Sequence, residues 1–269
     1  MPRDIRIVDS ITQPDTARGT AMIAGSHGGI SSGGYAARLG LSGVVFNDAG
    51  VGYGDAGVQS LALFDDLGAP AATVDHESAR IGDGVDSAMH GTISHVNEIA
   101  EKIDCHIGQS ALACVATMDD AGLTPSMDAG KPPELRLEQL LTEPAAVWLV
   151  DSLGQVTESH QDAILVCGSH GARLAGERST FVPTRLRGLT VFDAGRGKDQ
   201  AGIGRLASMN DRGIPAAAVD VHSARIGDAR SAWEHGIIST VNERAASIGV
   251  TPGTSVQAFV DAAQVASER

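Results

Sequence analysis

A Ser-His-Gly sequence occurs twice in the chain, and its histidine could do acid–base chemistry. IAGSHGG (residues 23–29) is echoed by VCGSHGA (166–172). A glycine turn after a strand can present backbone N–H groups to an anion, and a histidine beside it can exchange a proton near neutral pH. We therefore expect His27 and His170 to act as acid or base, with Ser26, Gly28 and Ser169 contacting the substrate. The alternative is that the glycines only shape the turn and the histidine bonds a neighbouring loop.

Four aspartates recur at matching places in the two copies. DAGVGYGDAGV (48–58) parallels DAGRGKDQAGI (193–203), and GAPAATVDHESARIGD (68–83) parallels GIPAAAVDVHSARIGD (213–228). Each aspartate follows a short apolar run that is predicted to be a strand. In α/β sheets, side chains at the carboxyl ends of the strands line the ligand crevice. We expect Asp48, Asp193, Asp75 and Asp220 to orient the histidines or to activate water.

The repeated SARIGD sequence places an arginine near the same crevice. A guanidinium matches a carboxylate or phosphate, and a lysine in a glycine-rich loop can also bind an anion. The alternative is an Arg–Asp pair that only fastens loop to helix, and Asp83 and Asp228 are expected to cap that helix. The remaining predicted substrate-binding residues are Gly52, Ser78, Arg80, Lys198, Ser223 and Arg225.

The elements that position these residues alternate between strand-like and helix-like segments. IRIVDS, TAMIAG, SGVVFN and APAATV are short apolar runs, separated by segments with helical periodicity. Such alternation predicts parallel sheets covered by helices. We expect an α/β protein with two tandem Rossmann-like βα repeats, parallel sheets and a pseudo-twofold axis. The predicted boundaries are 1–118 for the first repeat, 119–144 for a linker with a short helix, and 145–269 for the second repeat.

A polar stripe is predicted on the helix that follows SARIGD in each copy. His90, Ser94 and Asn97 are spaced by four and three residues, which places them on one helical face. HGIISTVNE (235–243) repeats the pattern. We expect this stripe to lie at the seam between the repeats.

Cofactor binding has two alternatives to weigh against no cofactor at all. Gly52-x-Gly54-x-x-Gly57 matches a dinucleotide fingerprint, but it starts late after its strand and the second copy lacks the middle glycine. A divalent metal could use oxygen and nitrogen ligands, but compact ligand spacing is missing. We expect no cofactor, with a divalent metal as the first alternative and NAD(P) as the second. The potential metal ligands are His27, Asp48, Asp75, His76 and Glu77.

Composition limits the partners. The net charge is −13, which argues against a nucleic-acid groove. The sequence contains no run long and apolar enough for a membrane span, and MPRDIRIVDS lacks an apolar signal core. Cys105, Cys114 and Cys167 lack metal or redox spacing and are expected to be buried thiols in a reducing compartment. We expect a cytoplasmic protein, with a homo-oligomer favoured only by base rates.

The tandem pattern GSHGG, DAGVG and SARIGD resembles uncharacterised bacterial tandem-repeat families, and the resemblance would span the whole chain without implying an activity. The residues themselves favour a small-molecule enzyme with an anionic substrate in the crevice. Hydrolysis of an amide or cyclic amide is the first expectation, and a lyase or isomerase is the next. An NAD(P)-dependent oxidoreductase and a non-catalytic metabolite-binding protein stay open.

Overall fold

A computed structural model describes residues 5–123, 134–176 and 182–266. The first repeat forms a five-stranded sheet in which the strands lie side by side in chain order. Strands β1 to β4 are parallel, and β5 runs antiparallel to β4 at the edge. The strands are β1 Ile5–Val8, β2 Ala21–His27, β3 Gly43–Asn47, β4 Ala71–Val74 and β5 Ile93–Val96.

The second repeat forms a six-stranded sheet of the same kind. Its order is β11-β10-β9-β8-β7-β6, with β7 to β10 parallel and an antiparallel strand at each edge. The strands are β6 Leu137–Leu141, β7 Val147–Val150, β8 Ile164–His170, β9 Gly188–Phe192, β10 Ala216–Val219 and β11 Ile238–Val241. The predicted α/β class with two mostly parallel repeats is confirmed.

The helices follow the strands in nearly the same order in both repeats. They are α1 Ile30–Leu39, α2 Ser60–Asp66, α3 Gly84–His90, α4 Glu98–Lys102, α5 Ala111–Ala121, α6 Arg205–Asp211, α7 Ala229–His235, α8 Glu243–Ser247 and α9 Val256–Ala266. Short 3-10 helices in the described residues are Tyr53–Val58, Leu153–Gln155, Glu158–His160 and Lys198–Ile203. Helices α2 to α5 correspond to α6 to α9. By contrast, the described residues between β8 and β9 contain no helix that corresponds to α1.

The central strands are buried along their whole length. Every residue of β2, β3 and β4 is buried, as expected for strands covered by helices on both faces. The buried hydrophobic side chains of the described residues form four clusters, two dominated by each repeat. One cluster of the second repeat also includes Ala49, Ala56 and Ile81 of the first. The two repeats therefore share part of their core.

Reciprocal hydrogen bonds join the two repeats. The amide of Tyr53 donates to the carbonyl of Val221 at 2.8 Å, and the amide of Lys198 donates to the carbonyl of His76 at 2.9 Å. Tyr53 corresponds to Lys198 in the repeat, and His76 corresponds to Val221. Such exchange of equivalent contacts is what a pseudo-twofold axis produces.

The predicted polar stripe is wrong, because its residues belong to three different elements. Helix α3 ends at His90, Ser94 lies in strand β5, and Asn97 caps helix α4. The Asn97 side chain accepts hydrogen bonds from the amides of Ala71 and Ala100 and so ties the sheet edge to α4. Asn242 does the same in the second repeat. Strand pairing at the sheet edge therefore outweighs the helical spacing.

The described part of the predicted linker contains a strand where a short helix was expected. Helix α5 continues to Ala121, and Leu137–Leu141 forms β6, which pairs antiparallel with β7. Pairing with β7 overrides the helical propensity of this leucine-rich run. Glu138 also forms ion pairs with Arg136 and Arg230. Residues 124–133 of the linker lie outside the described residues.

Two further sequence predictions concern cysteines and membranes. All three cysteines are free and buried, as expected. Across the described residues, no helix combines the length and apolar character needed to cross a membrane.

Candidate active site

The central pair of histidines lies where the carboxyl ends of β2 and β8 face each other. His27 is the last residue of β2 and His170 is the last residue of β8. Their side chains are almost completely enclosed, with only 3% and 7% of the residue surface exposed. The ring centroids are 6.2 Å apart and the rings are nearly perpendicular. The fold thus brings together the two histidines that the sequence singled out.

Both histidines are held in their neutral form. Burial lowers the pKa of His27 to about 4, and burial, with the charges of His27 and Arg205, lowers the pKa of His170 well below its usual value. The Nδ1 atom of His27 accepts from the amide of Gly29 at 3.0 Å, and that of His170 accepts from the amide of Ala172 at 3.3 Å. The ring proton therefore lies on Nε2 in each case. Each imidazole can offer an N–H donor to a ligand.

The repeated serines hold the loops that cover the histidines. Ser26 Oγ accepts from the amide of Ile11, and Ser169 Oγ accepts from the amide of Leu153, both at 3.0 Å. These bonds fix the loops after β1 and β7 in the same way. Both serine side chains border the smaller cavity, and among the described residues neither Oγ forms a hydrogen bond with the histidine that follows it.

A cavity of about 120 Å³ adjoins His170 at this seam. It is lined by the loops after β1 and β7, by the end of β8 and the loop that follows it, and by the first residue of α6. None of its described lining residues is acidic. A smaller cavity of about 40 Å³ touches both histidines. The lining residues of the larger cavity include Ser10, Thr12, Ser152, Leu153, His170 and Arg205.

Arg205 is the residue of this site that sequence analysis missed. It begins α6 and only 3% of its surface is exposed. Its Nη2 donates to the carbonyl of Ala172 at 2.8 Å, whereas Nε and Nη1 have no partner among the described residues. Burial lowers the pKa of Arg205 to about 10, so the guanidinium is still charged at neutral pH. The signal in the sequence is that Arg205 takes the position that Ser60 has in the first copy, so the two repeats differ in charge there.

The carboxylates of Asp48 and Asp193 organise the loops that follow β3 and β9. Asp48 Oδ1 accepts from the amide of Gly50 at 3.0 Å and from Nδ1 of His76 at 2.9 Å. Asp193 Oδ1 accepts from the amides of Gly195 and Val221, and its Oδ2 accepts from Ser239 Oγ at 2.7 Å. Neither aspartate has a hydrogen bond to the central histidines among the described residues.

Asp75 and Asp220 shape the turns after β4 and β10. Each Oδ1 accepts from the amide two residues later, at 2.8 Å in both repeats. Ser78 Oγ donates to the carbonyl of Asp75, and Ser223 Oγ does the same with Asp220. These contacts are those of local turn motifs, in which a side chain satisfies nearby backbone groups.

A cluster in the first repeat offers ligands for a divalent metal. Single ligand atoms of Asp48, Asp75 and His76 all lie within 4.8 Å of one another. The hydrogen bond that His76 Nδ1 donates to Asp48 raises the pKa of His76, and the cluster is equally well explained as an internal ion pair. The second repeat has Val221 in place of His76. Of the other predicted metal ligands, Glu77 lies on the far side of the imidazole and His27 lies in the central pair.

Arg80 and Lys198 form an ion-pair network across the edge of the seam. Arg80 Nη2 lies 3.2 Å from Asp83 and 2.8 Å from Asp86, and its Nη1 lies 3.1 Å from Asp199 of the second repeat. Lys198 Nζ approaches Asp86 at 3.1 Å. The contacts of Arg80 therefore fit the structural alternative for the first SARIGD sequence, in which the arginine fastens loop to helix.

The second SARIGD sequence makes different contacts. The guanidinium of Arg225 lies over the ring of Tyr53, 5.8 Å from its centroid, and its amide donates to Ser231 Oγ. Asp83 and Asp228 cap α3 and α7 as predicted, by accepting from backbone amides in the first turn.

Gly28 and Gly52 are required for close packing. A Cβ atom on Gly28 would lie 2.6 Å from the carbonyl oxygen of Gly57. Gly52 has φ of +75°, and its Cβ would lie 2.7 Å from the carbonyl oxygen of Val221 in the other repeat. The adjacent amide of Tyr53 is used across the same contact. The loop that carries the dinucleotide-like pattern therefore packs against protein.

Comparison of the chain with protein-family models, with curated proteins and with solved structures found no match. The functional argument therefore depends on the geometry of the site.

Proposed function

We propose that the protein is a cytoplasmic small-molecule enzyme that hydrolyses an amide or cyclic amide in the cavity at the seam of the two repeats. The observation that carries this proposal is the pair of enclosed, neutral histidines, one from each repeat, beside a cavity with a buried cation. The substrate carries a carboxylate or another anionic group. A lyase or isomerase on a similar substrate would use the same donors.

The histidines act as hydrogen-bond donors in this proposal. Because Nδ1 of each ring accepts from a backbone amide, Nε2 carries the proton and can donate to a substrate carbonyl oxygen. Donors fixed in a site that excludes water stabilise the negative charge that develops on this oxygen during attack. A neutral imidazole with a low pKa plays this electrophilic role without transferring its own proton.

The proposed reaction is hydrolysis of the C–N bond, in which water adds to the carbonyl carbon and the nitrogen then leaves. The water oxygen bonds to the carbonyl carbon while Nε2–H of His170 hydrogen-bonds the carbonyl oxygen. When the C–N bond breaks, the departing nitrogen receives a proton from the attacking water, and the products are an acid and an amine. In a cyclic amide both groups stay on one opened molecule.

A substrate panel with a pH profile tests the proposal. Amides and cyclic amides, each with and without a carboxylate, are incubated with the protein, and the released amine or the opened ring is measured. We expect turnover of at least one anionic member. We also expect kcat/KM to show no inflection near pH 6.5, because burial lowers the pKa of His27 to about 4 and lowers the pKa of His170 well below its usual value. No turnover, or an inflection near pH 6.5 from an ordinary histidine base, would contradict the proposal.

A further inference from the structure

The guanidinium of Arg205 is a buried cation whose protein partners account for only one of its nitrogens. Nη2 donates to the carbonyl of Ala172, while Nε and Nη1 are buried without a partner among the described residues. Enclosing a charge without pairing it is strongly unfavourable, and natural proteins pair nearly all such groups. The side chain lines the seam cavity, so a ligand in that cavity can reach it.

Within the described part of the chain, no acidic side chain pairs with Arg205. None of the described residues that line the cavity is an aspartate or glutamate. The nearby thiol of Cys167 is neutral, because burial raises its pKa to about 11. The chain has a net charge of −13, yet the described groups around this cation are hydroxyls and a neutral imidazole and not carboxylates.

We propose that Arg205 binds the carboxylate group of a small monocarboxylate in this cavity; that this molecule is the substrate depends on the function proposed above. One guanidinium balances the single charge of a carboxylate, whereas a phosphate dianion would leave one negative charge unbalanced. Hydroxyl groups of Ser10, Thr12 and Ser152 can complete the carboxylate's hydrogen bonds. Leu153 and Leu174 provide an apolar wall for its carbon atoms.

The same reasoning predicts one such site in each chain. The counterpart of Arg205 at the start of α2 is Ser60, which carries no charge. In the first repeat, helix α1 begins three residues after His27, and its Ser31, Ser32 and Tyr35 line the smaller cavity. The first repeat therefore lacks an equivalent cation beside His27, and its helix α1 borders only the smaller cavity.

Thermal unfolding in the presence of propionate tests the proposal. The midpoint is followed as sodium propionate replaces sodium chloride at constant ionic strength, with propionamide and inorganic phosphate as comparison ligands. At 100 times its dissociation constant, a ligand raises the midpoint of a domain of this size by several degrees. We expect propionate to raise the wild-type midpoint, propionamide to leave it unchanged, and phosphate to raise it less than propionate does.

Two arginine variants separate a ligand-binding role from a structural one. Arg205→Met is expected to lose the propionate shift and, without ligand, to melt no lower than the wild type, because an unpaired buried cation has been removed. Arg212→Met is the matched control at the end of the same helix. Both of its terminal nitrogens donate to backbone carbonyls, so the variant should melt lower and keep the full propionate shift.

The outcomes that overturn the proposal are specific. A propionate shift that persists in Arg205→Met, or a larger shift with phosphate than with propionate, contradicts it. If Arg205→Met does not fold, the ¹⁵Nε resonance of Arg205 in the wild type decides instead, since it must move with propionate and not with propionamide. Propionate binding without turnover of any amide would refute the proposed hydrolysis and leave this site in place.

Discussion

The two repeats share their scaffold and differ at the cavity. Both place a histidine at the end of a buried strand and exchange equivalent hydrogen bonds across the seam. An equivalent aspartate caps α3 and α7, and an equivalent asparagine caps α4 and α8. Only the second repeat adds a buried arginine beside its histidine. The shared residues therefore build the scaffold and place one histidine from each repeat at the seam, whereas a difference between the copies, Arg205 in place of Ser60, adds the charge that can hold a ligand.

The edge of the seam shows the opposite asymmetry. Asp86 of the first repeat is surrounded by Arg80, Lys198 and His90, with only 1% of its side chain exposed. Its counterpart in the second repeat is Ser231, which accepts one hydrogen bond from the amide of Arg225. The charged contacts that join the repeats at this edge thus converge on the first repeat, and the unpaired cation lies in the second.

The largest expected effect comes from exchanging the two central histidines one at a time. His170→Gln should lower kcat by about 10²- to 10³-fold, which is typical for loss of one donor to a developing oxyanion. His27→Gln should cost about tenfold or less, because His27 lies in the smaller cavity away from Arg205. Steady-state kinetics on the best substrate of the panel measures both, with His222→Gln as an exposed control. Equal losses in the two variants would contradict a site centred on the second repeat.

Acid should destabilise the protein through the same pair of histidines. The folded pKa of each is below its unfolded value, so the stabilisation is complete above about pH 6.5 and is lost as the pH falls toward about 4. For His27, the difference of 6.5 to about 4 corresponds to about 3 kcal/mol over that whole interval. Urea unfolding at pH 7 and pH 5 measures the part of this loss that falls above pH 5, about 2 kcal/mol for His27. The pH dependence should be smaller in His27→Gln and unchanged in His222→Gln.

The smallest expected effect compares the edge contacts of the two repeats. Asp86→Asn should lower the free energy of unfolding by about 2–3 kcal/mol, because three cationic or titratable groups lose their shared carboxylate. Ser231→Ala, the matched change in the second repeat, should cost about 1 kcal/mol or less. Chemical denaturation of both variants at pH 7 checks the difference. If the two costs are equal, the network around Asp86 contributes no more than an ordinary hydrogen bond.

The strands and the duplication could be predicted because buried parallel strands appear as short apolar runs with a recurrent polar residue after them. Segments at the sheet edges could not. ISHV (93–96) has spacings that also fit a helix, and LEQLL (137–141) has helical propensity, yet both pair with a neighbouring strand. Their structure depends on a partner distant in sequence, which local periodicity does not contain.

The candidate site was only partly predictable for a related reason. His27 and His170 were found because the repeat preserves them. Arg205 has Ser60 as its counterpart, so agreement between the two copies does not point to it, and a site used once need not be duplicated. The tautomer of each histidine was also beyond the sequence, since it depends on which amide points at Nδ1.

The most direct test of a single site in a duplicated fold is the number of carboxylates bound per chain. Equilibrium dialysis of radiolabelled propionate against the wild type should give one bound molecule per chain, and Arg205→Met should give none. Ser60→Ala, at the equivalent position of the first repeat, should still bind one. Two molecules per chain, or binding that survives loss of Arg205, would contradict the assignment of the site to the second repeat.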